Sequence, residues 1–258
     1  MSLEDLALIE ATLNETLATG LLVFLRVGAI MALLPALGEQ SVPVRVRLGL
    51  TLAFTMIVAP MVGQRYEGLG MNAVTLQWVA AEVIAGLVLG IFLRLFILTL
   101  QFAGSIAAQA TSLSQLVPTP AFEPMPTLGQ ILVVAAFALA TLADLHLRVA
   151  EYIVRSYVLF PAGRLPTPAF VLEIGTDRVA ASFELAFVLS APFVAASLLY
   201  NVTLGVINRA MPQLMVAFVG APAITMAALI LLMLCAPVML EVWLSAFNGF
   251  MAEPSLRR

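Results

Sequence analysis

The feature that most constrains this chain is a series of apolar runs long enough to cross a membrane. A helix needs about 20 residues to span a hydrocarbon core of about 30 Å. Six helical segments are predicted, at residues 16–37, 44–62, 76–108, 128–143, 179–206 and 215–247. Of the 258 residues, 62% are hydrophobic and 10% charged, against about 25% charged in soluble domains. We therefore predict an all-α, polytopic membrane protein in which residues 1–258 form a single membrane domain.

Prolines predict that these helices are kinked. Pro192, Pro222 and Pro237 lie inside the last two runs, where each removes an N–H donor and clashes with the preceding turn. The third and sixth runs are longer than a simple span, so they tilt, bend or leave the membrane. We expect about six kinked hydrophobic helices, with bends or breaks at the prolines.

Polar residues inside the apolar runs are the first candidate functional residues. They are Arg26, Glu82, Arg94, Glu184, Asn201 and Arg209. A charge at a bilayer centre costs about 2.5–3.5 kcal/mol, so such residues normally face protein or water. Glu82 and Arg94 are about 18 Å apart along one helix, and their partners must lie on other helices or other chains. We predict that Arg26 pairs with a carboxylate or with backbone carbonyls inside an assembled complex. Snorkelling to the membrane surface is the alternative for Arg94 and Arg209.

Small residues in the third run predict close helix packing. Gly86 and Gly90 are four residues apart, and Gly104 follows on the same helix. This spacing lets two helix backbones approach closely where no hydrophobic force drives helices together.

The proline content of residues 109–127 predicts an irregular loop. Pro118, Pro120, Pro124 and Pro126 exclude a regular helix there. Such backbone is tolerated at membrane depth only inside protein or along a water-filled cavity. A surface loop at the headgroups is the alternative. The loop combines residues that satisfy one another (Ser112, Ser114, Gln115) with a dry apolar surface (Leu113, Leu116, Val117, Met125).

The sequence indicates neither an enzyme nor a nucleic-acid-binding protein. It contains one histidine, His146, and one cysteine, Cys235, so no catalytic triad or Cys/His zinc site can be assembled. Phosphate-binding and hydrolase motifs are absent, and we expect no cofactor. The net charge of −3, without a basic block, gives no surface for nucleic acid.

A series of short motifs, in order and spacing, resembles the FliR family of type III secretion export-gate subunits, called SctT in virulence systems. In the first half they are Phe24-Leu25-Arg26, Val42-Pro43-x-x-x-Arg47, Ala59-Pro60, Glu82-x-x-x-Gly86-x-x-x-Gly90 and Gln101-x-x-Gly104. In the second half they are Ser156, Pro161-x-Gly163, Ala191-Pro192, Asn201-x-x-x-Gly205-x-x-x-Arg209-x-x-Pro212-Gln213 and Gly220-x-Pro222.

The resemblance implies a structural subunit of the flagellar protein-export gate, within the inner membrane at the flagellar basal body. It implies FliP and FliQ as assembly partners, FlhB and FlhA as neighbours, and unfolded proteins as the exported substrates. The interior polar residues, Gln213 among them, become assembly contacts, Gly205 joins the helix-packing glycines, and residues 109–127 become a plug across the channel. A polytopic secondary transporter of small solutes or ions is the alternative, although no internal repeat is evident.

Overall fold

The computed structural model describes residues 3–39, 42–112, 127–211 and 216–253. These residues form seven α-helices and two short 3₁₀ turns. The helices are α1 Leu3–Leu33, α2 Val44–Val62, α3 Leu76–Ser112, α4 Thr127–Leu142, α5 Leu145–Leu159, α6 Pro168–Ala210 and α7 Val216–Ala252. Five of them are long and apolar enough to span a membrane, and counting α4 with α5 as one bent span makes six. The all-helical, polytopic class is thereby confirmed.

Four helices extend by more than one residue beyond the predicted bounds, among them α7, which ends at Ala252 rather than at residue 247. α1 begins at Leu3 rather than at residue 16, because its early acidic residues alternate with Leu and Ala, which are strong helix formers. α3 continues to Ser112, where the hydroxyl of Thr111 donates to the carbonyl oxygen of Ala108 at 3.0 Å. α6 begins at Pro168, whose missing N–H costs nothing in the first turn of a helix.

One bend in the chain lies at a position that the prolines did not predict. α6 includes Pro192 and α7 includes Pro222 and Pro237 without a break in either helix. Within the described residues, the chain instead turns by 81° between α4 and α5. Asp144 there has a φ of 59°, a left-handed conformation that cannot continue a right-handed helix. The apolar and charged segments on either side are therefore separate helices.

The chain divides into two compact units. Unit 1 consists of Met1–Leu95, Ala143–Arg178 and Phe247–Arg258, and unit 2 of Phe96–Leu142 and Val179–Ala246. The core of unit 1 contains apolar residues of α1, α2, α3 and α5, including Leu22, Ile30, Val58, Leu89 and Ile153.

Unit 2 is held by contacts among its own helices. The indole N–H of Trp243 donates to the carbonyl oxygen of Phe96 at 2.8 Å. The ring centroids of Phe102 and Phe183 are 5.2 Å apart. In its described residues, the charged side chains of unit 2 are those of Glu184, Arg209 and Glu241. Its exterior therefore suits an apolar surrounding.

Candidate functional site

A buried ion pair lies at the centre of unit 1. Nε of Arg26, on α1, donates to Oε2 of Glu82, on α3, at 2.6 Å, and both side chains are 0% exposed. The Arg26 guanidinium carbon lies 3.7 Å from the ring centroid of Tyr157, on α5, so a cation–π contact adds to the pair. Three helices therefore meet at one charge.

The second oxygen of Glu82 binds the loop that follows α5. The backbone N–H of Gly163 donates to Oε1 of Glu82 at 2.9 Å. Gly163 has a φ of +67°, and an added Cβ would overlap the ring of Trp78. Two independent constraints, backbone conformation and close approach, therefore require glycine at this position.

Ser156 lies beside the Arg26 guanidinium, and Tyr66 lies beside Tyr157. Nη1 of Arg26 lies 3.4 Å from Oγ of Ser156, whose hydroxyl also donates to the carbonyl oxygen of Ile153 at 2.6 Å. Nη2 is buried and has no hydrogen-bond partner among the described residues. The hydroxyl of Tyr66 donates to that of Tyr157 at 3.4 Å. We call Arg26, Glu82, Ser156, Tyr157 and Gly163 the Arg26 cluster.

The chemistry of the Arg26 cluster is suited to holding helices in place rather than to catalysis. An isolated charge inside a protein is costly, and an ion pair is better tolerated when further hydrogen bonds satisfy its remaining lone pairs and protons. Both Glu82 oxygens accept such bonds. The described residues also contain no group of three or more His, Cys, Asp or Glu that could hold a metal ion. The cluster therefore fixes α1, α3, α5 and the 163 loop relative to one another.

A second ion pair, less buried, joins α3 to the segment before α2. Nη1 of Arg94 lies 2.8 Å from Oε1 of Glu39, with side-chain exposures of 34% and 24%. Nη2 of Arg47 donates to the backbone carbonyl of Glu39 at 2.9 Å. Glu39 was not among the predicted site residues. The sequence feature that could have identified Glu39 is its position, a carboxylate just after the first apolar run.

Gly86 and Gly90 contact α1. A Cβ added at Gly86 would lie 2.6 Å from the carbonyl oxygen of Arg26 and 2.7 Å from Cβ of Ala29. A Cβ at Gly90 would lie 2.9 Å from Cβ of Leu33. The glycines thus allow the close approach of α1 and α3 that places Arg26 beside Glu82. Gly104 makes a similar approach to Gly129 of α4 within unit 2.

The remaining predicted site residues are not brought to the Arg26 cluster. Glu184, Asn201 and Arg209 are exposed on α6, and Nδ2 of Asn201 donates to Oγ of Ser197 at 3.3 Å. A Cβ added at Gly205 would meet no described atom within 4 Å. The side chain of Ser112, the other predicted plug residues (Leu113, Ser114, Gln115, Leu116, Val117 and Met125) and Gln213 lie outside the described residues.

The fold and these contacts define a polytopic α-helical membrane protein whose central charges are paired inside the chain. Residues 17–250 match the family described as Bacterial export proteins, family 1. The flagellar biosynthetic protein FliR of Caulobacter vibrioides is 34% identical over 88% of this chain and 92% of its own length. FliR of Escherichia coli is 28% identical over 77% and 76%, and FliR of Bacillus subtilis 26% over 88% and 90%.

The chain belongs to this family of bacterial export proteins, the FliR family. It is a non-enzymatic component of the flagellar type III export apparatus and a multi-pass protein of the inner membrane, whose partners belong to that apparatus. Family membership replaces the alternative interpretation of a small-solute transporter. The motifs that carried the resemblance are separated in sequence, yet Arg26, Glu82, Ser156 and Gly163 lie together in one cluster.

Proposed function

We propose that this chain forms part of the channel wall of the export gate and contributes a plug that closes the channel. The observation that carries the proposal is the Arg26 cluster, in which four separate family motifs serve one purpose, to fix helices in place. A rigid wall is what a channel for unfolded protein requires, because the wall must hold its shape while the polypeptide moves.

The proposed neighbours are FliP and FliQ homologues in a hetero-oligomeric gate, with FlhB and FlhA beside it. The chain pairs Arg26 and Arg94 internally, so neither needs a neighbour. Glu184, Asn201 and Arg209 remain exposed on a long apolar helix. Polar residues on such a surface are more stable against protein than against lipid.

Co-expression with FliP and FliQ, followed by native mass measurement, tests the assembly. We expect a complex that contains this chain together with both partners, and we expect the chain alone to be polydisperse. A monodisperse, folded chain that recovers neither partner would contradict the proposal.

The plug is proposed for residues 109–127, of which 109–112 form the end of α3. Hydrophobic constrictions can close a pore by dewetting, and apolar residues of this segment could supply one. Deletion of residues 112–116 should leave the complex assembled and raise its ion conductance in planar bilayers. A deletion complex that is as tight to ions as the wild type would refute the plug.

A further inference from the structure

The end of unit 1 at which α2 begins carries more basic than acidic side chains. Arg45 and Arg47 lie in the first turn of α2, which contains no acidic residue. The ion pair of Arg94 with Glu39 lies at the same end, because Nη2 of Arg47 donates to the carbonyl oxygen of Glu39 at 2.9 Å. We call Arg45, Arg47, Arg94 and Glu39 the basic end of α2.

The chain neutralises one of the three cations at the basic end of α2. The carboxylate of Glu39 pairs with Arg94 at 2.8 Å, whereas Arg47 donates to a neutral carbonyl. Arg45 is exposed, and neither it nor Arg47 forms an ion pair with a described residue. The backbone N–H groups at the start of a helix add positive partial charge rather than offset it. Two cations therefore remain without a counter-charge from the described residues.

The opposite end of α2 shows no such excess of positive charge. Arg65 follows α2 in the 3₁₀ turn Gly63–Tyr66, and Glu67 comes directly after this turn. Glu15 of α1 lies there as well, because its Oε1 accepts the N–H of Gly68 at 2.9 Å. The positive charge is therefore confined to the end at which α2 begins.

The basic end of α2 lies at the depth of the lipid headgroups when α2 spans a membrane. Val44–Tyr66 is one of the segments long and apolar enough to do so, with 23 residues. At 1.5 Å per residue these extend about 34 Å, close to the hydrocarbon thickness of about 30 Å. Arg45 is the second residue of this segment, and a long arginine side chain extends toward the headgroups from such a position.

An exposed aliphatic side of α2 lies directly below Arg45. Gly49, Leu52 and Met56 follow Arg45 at steps of four, three and four residues, so all share one side of the helix. Each of them is exposed, and a Cβ added at Gly49 would meet no described atom within 4 Å. Gly49 therefore leaves a shallow gap one turn below Arg45, between an arginine and two aliphatic side chains.

We propose that this side of α2 binds an anionic phospholipid, with its phosphate at Arg45 and one acyl chain along the aliphatic side below it. The uncompensated charge favours an anionic over a zwitterionic headgroup, because basic side chains near a membrane surface are attracted to anionic lipid. The aliphatic side contacts the acyl chain, a contact that a free phosphate ion lacks. The site involves no other protein, so it goes beyond the proposed function.

Photoreactive lipids test the site in the full-length chain. The purified chain is reconstituted into phosphatidylcholine vesicles that contain a trace of phosphatidylglycerol or phosphatidylcholine with a diazirine in its acyl chain. Peptide mass spectrometry then measures the labelling of α2 by each lipid. We expect phosphatidylglycerol to label α2 about fivefold more than phosphatidylcholine does, and we expect this preference to fall at high salt.

Substitutions of Arg45 test the cation. Arg45→Gln should lower the preference to about one, because the charge is lost, and Arg45→Lys should retain most of it. Arg164→Gln changes an exposed arginine that follows α5, and as the matched control it should leave the labelling of α2 unchanged. Equal midpoints of thermal unfolding in detergent show that all variants are folded. A preference that is absent from the wild type, or that survives in Arg45→Gln, overturns the site.

Two further measurements distinguish the lipid from other occupants. Replacing chloride by inorganic phosphate at equal ionic strength should leave the preference unchanged, and its loss would show that a free anion binds instead. The chain assembled with FliP and FliQ should show the same preference. If α2 is labelled in the chain alone but not in that complex, a protein covers this side and the lipid site is overturned. A chain that recovers neither partner refutes the proposed function, whereas the labelling of the chain alone still decides the lipid site.

Discussion

At the scale of single residues, the Arg26 cluster depends on each partner being present. Arg26 and Glu82 are both inaccessible, so removal of either leaves the other charge buried without its counter-charge. Such a change usually costs more than the pair itself contributes, because the desolvation of the remaining group is no longer offset. Substitutions in this pair should therefore be strongly non-additive.

Glu82→Gln should lower the free energy of unfolding by about 3–5 kcal/mol, because it leaves Arg26 buried and unpaired. The double variant Arg26→Met with Glu82→Leu should be less destabilised than the sum of the single changes. Thermal unfolding of the purified chain in detergent measures both effects. Glu67→Gln, which changes an exposed carboxylate, is the control, and equal effects at Glu67 and Glu82 would contradict the argument.

Gly163 and Gly68 form a second matched pair of residues. Both have positive φ, +67° and +75°, but only Gly163 lies against a side chain, the ring of Trp78. Gly68→Ala should cost about 1–2 kcal/mol from the left-handed backbone alone. Gly163→Ala should cost clearly more in the same unfolding experiment, because the methyl group also displaces Trp78. Equal costs would show that Trp78 moves aside freely.

At the scale of helices, close packing of α1 against α3 is the contact that positions the ion pair. Gly86 allows that approach, and Gly49 on α2 provides a contrast, since an added Cβ there meets no described atom within 4 Å. The same substitution at the two sites should therefore change the free energy of unfolding in opposite directions.

Gly86→Ala should destabilise the chain by about 1–3 kcal/mol, because its methyl group overlaps the backbone of Arg26. Gly49→Ala should stabilise it by about 0.5–1 kcal/mol, because alanine loses less backbone entropy in a helix. Midpoints of thermal unfolding in detergent measure the sign of each change. Destabilisation by both changes would show that the difference in packing has no effect.

The sequence predicted the presence and approximate positions of the long helices well. It predicted the bounds of one helix without error. α2 matches the predicted residues 44–62, because Pro43 starts it and a polar, glycine-containing segment follows it. The break at Asp144 was missed, since an aspartate with positive φ has no sequence signal comparable to glycine. The structure keeps α6 and α7 unbroken through their prolines, because packing in a membrane tolerates proline inside a helix.

The site was predicted less completely than the helices. The sequence singled out Arg26 and Glu82 separately and required a partner for each on another helix or chain. It could not show that they are each other's partner, because pairing depends on how α1 and α3 are rotated about their axes. The packing of side chains over whole helices, rather than any local motif, sets that rotation.

At the scale of the whole molecule, both ends of the chain belong to unit 1. The final turn of α7 contributes Phe250, whose ring centroid lies 5.7 Å from that of Tyr152 and 4.6 Å from the guanidinium carbon of Arg178. Arg155 also donates to the carbonyl oxygen of Ala252. Unit 1 is therefore complete only when residues 247–252 are in place.

Phe250→Ala should destabilise the chain by about 3–5 kcal/mol, because it removes a buried ring that contacts α5 and α6. Phe187→Ala is the matched control, since Phe187 is 61% exposed in the single chain and its loss should change stability little. Thermal unfolding of both variants in detergent provides the comparison. Similar midpoints would show that the end of α7 does not stabilise unit 1.

The ion pair between Arg26 and Glu82 also sets an order of events during synthesis. Arg26 belongs to the first helix made, and Glu82 follows 56 residues later. At about 5–20 residues per second, the ribosome needs roughly 3–11 s to deliver the carboxylate. For those seconds α1 carries an uncompensated cation, which costs about 2.5–3.5 kcal/mol at a bilayer centre. The first helix should therefore stay at the insertion machinery, shielded from lipid, until α3 emerges and the two helices enter the membrane as a neutral pair.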